Sequence, residues 1–302
     1  MDKIGVVTIT YNSENVLPSF LECIYNQTYS NLILYVIDNG STDCTLSILK
    51  GFDNFPIRII ENLYNLGVAK ANNQGIIQAI EDECDQILLI NNDVEFESIL
   101  VENLLRAQKD YNCSLVAPKM MYFDQPNLIW YAGSWFKKCK GYLPLHRGQK
   151  ELDVGQFDKI VEVEYAPTCC LLVKKVVFDN IGLMNERYFV YFDDTDFSYR
   201  ILKDKRHKIF YVPKVNFYHK VGSLTKSFNI SSNKKYRGDF FIKQNTTNHV
   251  YFLKQIGGWF SYFFIFWLFF KNNINFIISS QIKKNFSTWW LINKSYFKGI
   301  IM

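Results

Sequence analysis

The sequence predicts an α/β protein, a Rossmann-like sheet flanked by helices that leads into a helical, aromatic-rich C-terminal extension. Three observations predict it. Through the first 120 residues, short apolar runs alternate with segments whose apolar residues recur at helical spacing, the sign of βαβ units. The first four apolar runs all end in polar residues, where open α/β sheets bind their ligands. From about Phe240 the pattern turns helical and increasingly apolar.

Ile4 to Ile9 reads as a buried strand. The next segment carries Val16, Leu17, Phe20, Leu21 and Ile24 on one helical face, and Pro18 suits its first turn. Leu32 to Ile37 is a second strand, ending in Asp38 and the turn "DNGSTD". Ile57 to Ile60 is a third, followed by a helix with Val68, Ala71, Gly75, Ile76, Ala79 and Ile80 on one side. Ile87 to Ile90 is a fourth strand and runs directly into "NNDVE". A helix with Leu100, Val101, Leu104 and Leu105 follows, then the apolar run Leu115 to Ala117. Residues 121 to 174 read as extra strands or loops over the open sheet. Val176 to Ile181 and Thr195 to Lys203 read as short helices, and Ile209 to Val212 as a strand stopped by Pro213. The expected division is a main domain, residues 1-235, and a C-terminal extension, residues 236-302.

A chain of 302 residues that is 48% hydrophobic can bury one large core or two modest ones. The net charge of +5 is mild, and the basic residues are scattered until the C-terminal third, without the stripe of a nucleic-acid binder. Seven cysteines form no CxxC pair and no zinc spacing, the usage of free thiols in a reducing compartment. "MDKIGVVTIT" has too short an apolar run, preceded by Asp2, to read as a signal peptide. Trp259 to Phe270 is a run of twelve uncharged, mostly aromatic residues, followed by Lys271 and later by Lys283, Lys284, Lys294 and Lys298. It is short for a transmembrane helix. Two readings stay open, an interfacial membrane helix and a helix packed on the main domain.

Tyr11 and Asn12 close the first strand, Asp38 and Asn39 the second, Glu61 and Asn62 the third, and Asn91, Asn92 and Asp93 the fourth. Asp and Asn are ordinary turn residues, but four polar strand ends in succession point to one shared site. No GxGxxG follows the first strand and no GxxxxGK[ST] occurs, so a glycine-rich loop is not how this site would hold a phosphate. The alternative is a divalent cation between carboxylates and diphosphate oxygens. Mg²⁺ takes one or two carboxylates plus substrate phosphates, and Asp93 is the candidate ligand, with a helix N-cap as its plain structural alternative.

"YFVYFDDTDFSYR", residues 188 to 200, sets Asp193, Asp194 and Asp196 among six aromatic residues. Ionised carboxylates in an apolar setting are costly unless a cation, a metal or hydrogen bonds hold them.

At this point a family resemblance covers most of residues 4 to 219. Its segments, in the family's order, are "VVTITYNSENVLPSFLECIYNQTY", "LYVIDNGSTDCT", "ENLYNLGVAKANNQGI", "ILLINNDVEF", "NIGLMNERYFVYFDDTDFSYRI" and "YVPKVNFYH". The chain resembles the family 2 glycosyltransferases, particularly the bacterial rhamnosyltransferase-like branch that builds surface polysaccharides. The resemblance implies a GT-A fold with a mixed sheet, a sugar nucleotide donor, Mg²⁺ or Mn²⁺, and inversion at the anomeric carbon. Asp38 would bind the donor's base, with Tyr11 packed near it. Asn65, Gly67, Asn73 and Gly75 match the family's N-x-G…N-x-G helix entry, which puts Asn65 on the donor side. "NNDVE" stands where the family has Asp-x-Asp or Asn-Pro-Asp. Asp93 matches the metal-binding carboxylate, and Asn91 stands at the first, donor-side position, where some relatives have Asp. His219, after "VP" and a short strand, matches a recurrent metal ligand, and imidazole beside carboxylate and diphosphate oxygens suits Mn²⁺ or Mg²⁺.

"FDDTDF" matches the family's Glu-Asp-x-Asp segment, whose second acidic residue, here Asp194, is the general base. Inverting transfer needs one carboxylate behind the acceptor hydroxyl to take its proton. An aromatic surround would raise that carboxylate's pKa and keep out water that could hydrolyse the donor. Asp193 would orient the acceptor or the base, and Asp196 would pair with Arg200 four residues on.

The expectation is a metal-dependent inverting hexosyltransferase. Its donor would be dTDP-rhamnose or a UDP-hexose, and its acceptor a growing surface polysaccharide or lipid-linked oligosaccharide. It would work at the cytoplasmic face of the cell membrane, with peripheral membrane contact through the extension. Two rivals exist. A nucleotidyltransferase would show a basic, glycine-rich loop near the first strand, and "TITYNSENVLP" has neither lysine nor arginine. A non-catalytic subunit of a polysaccharide assembly complex would retain the fold. Asn91 suits that rival, while Asp194 and His219 argue against it.

Overall fold

The structure is a computed structural model that describes residues 1–215, 217–221 and 237–302. The boundary expected between residues 235 and 236 lies outside the described residues. In chain order the elements are β1 (Ile4–Thr10), α1 (Leu17–Tyr25), β2 (Leu32–Asp38), α2 (Thr45–Lys50), β3 (Ile57–Glu61), α3 (Val68–Glu81), β4 (Gln86–Ile90), β5 (Val94–Phe96) and α4 (Leu100–Asp110). Six strands follow, β6 (Leu115–Pro118), β7 (Met120–Tyr122), β8 (Ile129–Tyr131), β9 (Ser134–Lys137), β10 (Leu143–His146) and β11 (Val161–Val163). The chain continues through β12 (Cys170–Lys174), α5 (Lys175–Ile181), α6 (Asp193–Asp204), β13 (Ile209–Val212) and β14 (Phe217–His219). It ends in α7 (Asp239–Ile256), α8 (Gly258–Ile278) and α9 (Phe286–Ile301).

The main sheet runs β11-β13-β6-β12-β4-β1-β2-β3. β1, β2, β3 and β4 are parallel, as the alternating sequence pattern requires, and β12 and β11 are the antiparallel members. β1, β2 and β4 are covered on both faces, which is why they read as continuous apolar runs. α1 buries Leu17, Phe20, Leu21 and Ile24, the face its spacing marks. α3 lies against β1 and β2, and Gly75 is the reason it can approach. A Cβ there would stand 2.5 Å from Val7 and 2.6 Å from Ile37. Each fully buried Val, Leu or Ile of this core contributes roughly 1.5–3 kcal/mol.

Two parts differ from the sequence reading. Thr45–Lys50 is a short helix with Thr45 and Leu49 buried, where the sequence shows only a turn. Within residues 121–174, β12 is not an addition over the sheet. It sits inside it, pairing with β4 from Cys170 to Lys174 and with β6 at Leu172 and Val173. A five-residue buried run carries no periodicity, and only long-range partners fix its place. The stretch also supplies β7 and β8 of a second sheet, order β5-β14-β7-β8, and the hairpin β9–β10. All seven cysteines are free thiols.

Candidate active site at the carboxyl ends of the strands

The parallel register puts the polar ends of β1, β2, β3 and β4 at one edge of the sheet. Asp38 is buried there, and its acceptor positions are well used. Oδ1 accepts from the hydroxyls of Thr10 (2.8 Å) and Ser41 (2.5 Å), and Oδ2 from the Ser41 amide (2.9 Å). The carboxylate is therefore held rigidly at the strand end. Tyr11, one residue past β1, keeps its ring 44% exposed, free to meet a planar group. Asn65 is a loop organiser, with Oδ1 accepting from the Gly67 amide (2.9 Å) and the Asn39 amide group (3.3 Å). Asn39 also accepts from Asn62, so two strand-end amides and the loop residue Asn65 form one network beside Asp38.

The second sheet explains how residues far apart in sequence meet. β14 pairs with β5 antiparallel, and the register sets His219 opposite Val94, the neighbour of Asp93. The Nε2 of His219 lies 3.5 Å from Oδ1 of Asp93, and both residues are buried. That separation is longer than a full-strength hydrogen bond and of the size expected for two ligands sharing one cation with ~2.1 Å bonds. Nδ1 of His219 is buried with no hydrogen-bond partner among the described residues, and the ring stands edge-on to Trp130 at 4.6 Å.

One carboxylate and one imidazole are a sparse set. Among the described residues, no three His, Cys, Asp or Glu side chains gather as a self-sufficient metal cage. The pair fits Mn²⁺ or Mg²⁺ that completes its shell with phosphate oxygens and water, and does not fit a structural zinc. Asn91 donates its backbone N–H to Cys169 (3.1 Å), which ties the strand-end turn to the start of β12. Asn92 is fully buried and donates to the Ile9 carbonyl (3.1 Å) and the Ser13 hydroxyl (2.9 Å), fixing the end of β4 to the end of β1.

The acidic segment forms the other wall. Tyr191 and Phe192 are both in the left-handed region, at φ 65° and 71°, and α6 begins at the next residue. Two consecutive non-glycine residues there store backbone strain, a feature that clusters at functional sites. The turn aims Asp193 and Asp194 from the first turn of α6. Asp193 is buried and Asp194 is partly open. Tyr165 donates its phenol to Oδ2 of Asp194 at 2.6 Å, and Thr195 donates to Oδ1 at 3.2 Å. Burial pushes the Asp194 carboxyl above the ordinary carboxylate range, with the Tyr165 and Thr195 bonds pulling the other way. Burial, reinforced by the neighbouring Asp194 charge, pushes Asp193 up as well. Asp196 is bound to Arg200 at 2.8 Å, and Arg200 also donates to the carbonyls of Ile181 and Leu183. That pair is structural, as its (i, i+4) spacing suggests.

The two walls belong to one site. Tyr165, which donates to Asp194, lies along the His146 ring, and Trp130 meets both His146 and His219. Gly67 closes the donor side onto the acidic side. The Val68 amide donates to the Phe189 carbonyl at 2.6 Å, and Gly67 has φ +87° with that same carbonyl 2.5 Å from where a Cβ would stand. Glycine is required at such a position. Sequence reasoning missed Tyr165, which lies in "VEYAPTCC" with no periodicity or motif to mark it. It also missed Ser41, whose place three residues after Asp38 is the one available signal, an Asx-turn spacing. Asn248, deep in α7, was missed too, and it donates to the carbonyls of Val190 and Tyr191 at 2.9 Å each.

Residues 5–182 match the family model described as glycosyl transferase family 2. A low-salt glycan biosynthesis hexosyltransferase, Agl10 of Haloferax volcanii, is 22% identical over 68% of this chain, and the match spans 63% of that relative's own length. The N-acetylglucosaminyl-diphospho-decaprenol L-rhamnosyltransferase of Mycobacterium tuberculosis is 26% identical over 72% of this chain and 76% of its own. Among solved structures, S. aureus TarS 1-349 in complex with UDP-GlcNAc superposes with a TM-score of 0.63, covering 99% of this chain and 81% of that one at 15% identity. At that identity the likeness establishes the GT-A fold.

Proposed function

The chain belongs to glycosyl transferase family 2, and from that premise we propose that it is a metal-dependent inverting hexosyltransferase acting on a nucleoside-diphosphate sugar. The observation that carries the reading is the register that sets His219 beside Asp93, at the carboxyl ends of the strands that also hold Asp38. Asp38 and Tyr11 take the donor's base, and the Asn65 loop and Asn91 line the ribose and diphosphate path. Asp93 and His219 would hold Mn²⁺ or Mg²⁺, which supplies positive charge to the leaving diphosphate.

Asp194 accepts the proton of the acceptor hydroxyl. A carboxylate raised by burial is a stronger base than an exposed one, and the Tyr165 and Thr195 donors favour its ionised form. Asp193, buried beside it, keeps the acceptor and the base in register. The strained turn at Tyr191 and Phe192 fixes the direction in which both project. We assign the acceptor as a saccharide on a lipid carrier at the cytoplasmic face of the membrane, and rhamnose as the sugar, in line with the reaction named for the mycobacterial relative.

The test is release of nucleoside diphosphate from dTDP-rhamnose, UDP-hexoses and GDP-mannose by purified protein, with Mn²⁺ and a lipid-linked saccharide acceptor present. One donor should be consumed, and Asp194→Asn should slow it by about 10²–10⁴-fold, the usual size of a general-base contribution. A folded protein that turns over none of them would favour the non-catalytic subunit.

A further inference from the structure

α8 and α9 bury only one side. In α8, Ser261, Phe264, Ile265 and Leu268 are buried. The opposite side carries Trp259, Phe263, Phe266, Phe270, Ile274 and Ile277, spaced four, three, four, four and three residues apart, a single stripe of the helix. Trp259 is 79% exposed, Phe266 63% and Ile277 65%. α9 adds exposed Trp290 and Phe297. Phe269 joins the two helices' aromatics, with its ring 5.5 Å from Phe270 and 6.1 Å from Phe297. A contiguous apolar face of this kind marks an interaction site.

The charge around the face selects the partner. Phe240 to Met302 contains seven lysines and no aspartate or glutamate. Lys283 and Lys284 are exposed in the connection between α8 and α9. Lys138 stands over the Phe260 ring at 4.7 Å, and Lys271 over Trp267 at 5.1 Å. A second copy of the chain would bring the same lysines against these and be repelled. A bilayer bearing anionic headgroups would accept both components, the rings at the headgroup–acyl boundary and the lysines among the phosphates.

We propose that the exposed α8–α9 face docks the protein flat on an anionic lipid bilayer. Spanning is not involved, since no helix among the described residues is long and apolar enough to cross a membrane. The docked face is fixed to the candidate active site through α7. Asn248 holds the Val190 and Tyr191 carbonyls, and His249 stacks on Phe192 at 5.4 Å, immediately before Asp193. Docking therefore sets the height of Asp194 above the lipid surface. The surface goes beyond the reaction assigned above and stands or falls separately from it.

The test is flotation of the full chain with vesicles of phosphatidylcholine alone and of phosphatidylcholine with phosphatidylglycerol. The protein should float with the anionic vesicles and be released by high salt. Lys283→Gln with Lys284→Gln should weaken partition on the order of 10- to 30-fold, as two surface lysines would. Phe263→Ser with Phe266→Ser should abolish flotation while leaving nucleotide binding at its wild-type value. Absence of flotation, or equal flotation with neutral and anionic vesicles, overturns the proposal, and this wild-type comparison needs no variant. A wild-type dimer by light scattering that the Phe263→Ser, Phe266→Ser variant reduces to a monomer also overturns it, and assigns the face to a second copy.

Discussion

Tyr165, in the connection between β11 and β12, donates a 2.6 Å hydrogen bond to Oδ2 of Asp194 in the first turn of α6. The His146 ring lies along Tyr165 at 5.8 Å and edge-on to Trp130 at 4.9 Å, and Trp130 in turn meets His219. A run of buried and half-buried rings thus joins the carboxylate proposed as base to the imidazole proposed as ligand. Burial pushes the pKa of His146 down to about 4.

Tyr165→Phe removes a donor that favours the charged form of Asp194, so the carboxyl rises further above the ordinary range. Activity requires the ionised base and is lost as pH falls through that pKa. The acid limb of the kcat/KM profile should therefore move to higher pH in the variant. The rate at the optimum should fall on the order of tenfold, the worth of one charge-assisted hydrogen bond. A pH–rate profile of wild type and variant checks both, and an unmoved acid limb would exclude the role.

Asp193→Asn should raise thermal stability near pH 8. The folded state holds this carboxyl's pKa above its unfolded value of about 3.9, through burial first and the Asp194 charge second. The folded state therefore binds the proton more tightly, and stability is lost as pH rises from the unfolded pKa through the folded one. The neutral amide escapes that loss. Melting curves should separate by several degrees at pH 8, at about 2–4 °C per kcal/mol, and converge near pH 4. Activity should fall in the same variant, the usual exchange between stability and function.

Gly67→Ala should destabilise the junction between the donor loop and the acidic segment. The residue has φ +87°, and its Cβ would meet the Phe189 carbonyl. A cost of roughly 1–3 kcal/mol follows from forcing such a conformation, and denaturant unfolding measures it directly. An unchanged midpoint would mean that residues 188 and 189 move away freely.

Much of the scaffold was legible in the sequence because β1, β2 and β4 are buried on both faces and α1 and α3 each present one apolar face. The segments around Asp38, Asp93, Asp194 and His219 were legible through their motifs. The structure brings Asp93 and His219 together, a pairing that depends on the register between β14 and β5 and that no local pattern encodes. β12 was not legible as a central strand, since Cys170–Lys174 has the same short apolar run that an edge or a buried helix segment could have. Tyr165 was hidden for a related reason. A lone tyrosine in an irregular stretch carries no spacing, and its role comes only from a hydrogen bond to a residue 29 positions away. The extension's aromatic run was visible, but which rings face outward depended on how α8 sits against α7 and α9.

The central claim is a donor site whose metal is held by Asp93 and His219. Calorimetric titration of the purified protein with UDP, dTDP and GDP, each with and without Mn²⁺, tests it most directly. One of the three should bind, with affinity that depends on Mn²⁺ and is lost in Asp93→Ala. Binding that ignores the metal, or that Asp93→Ala leaves intact, would contradict it.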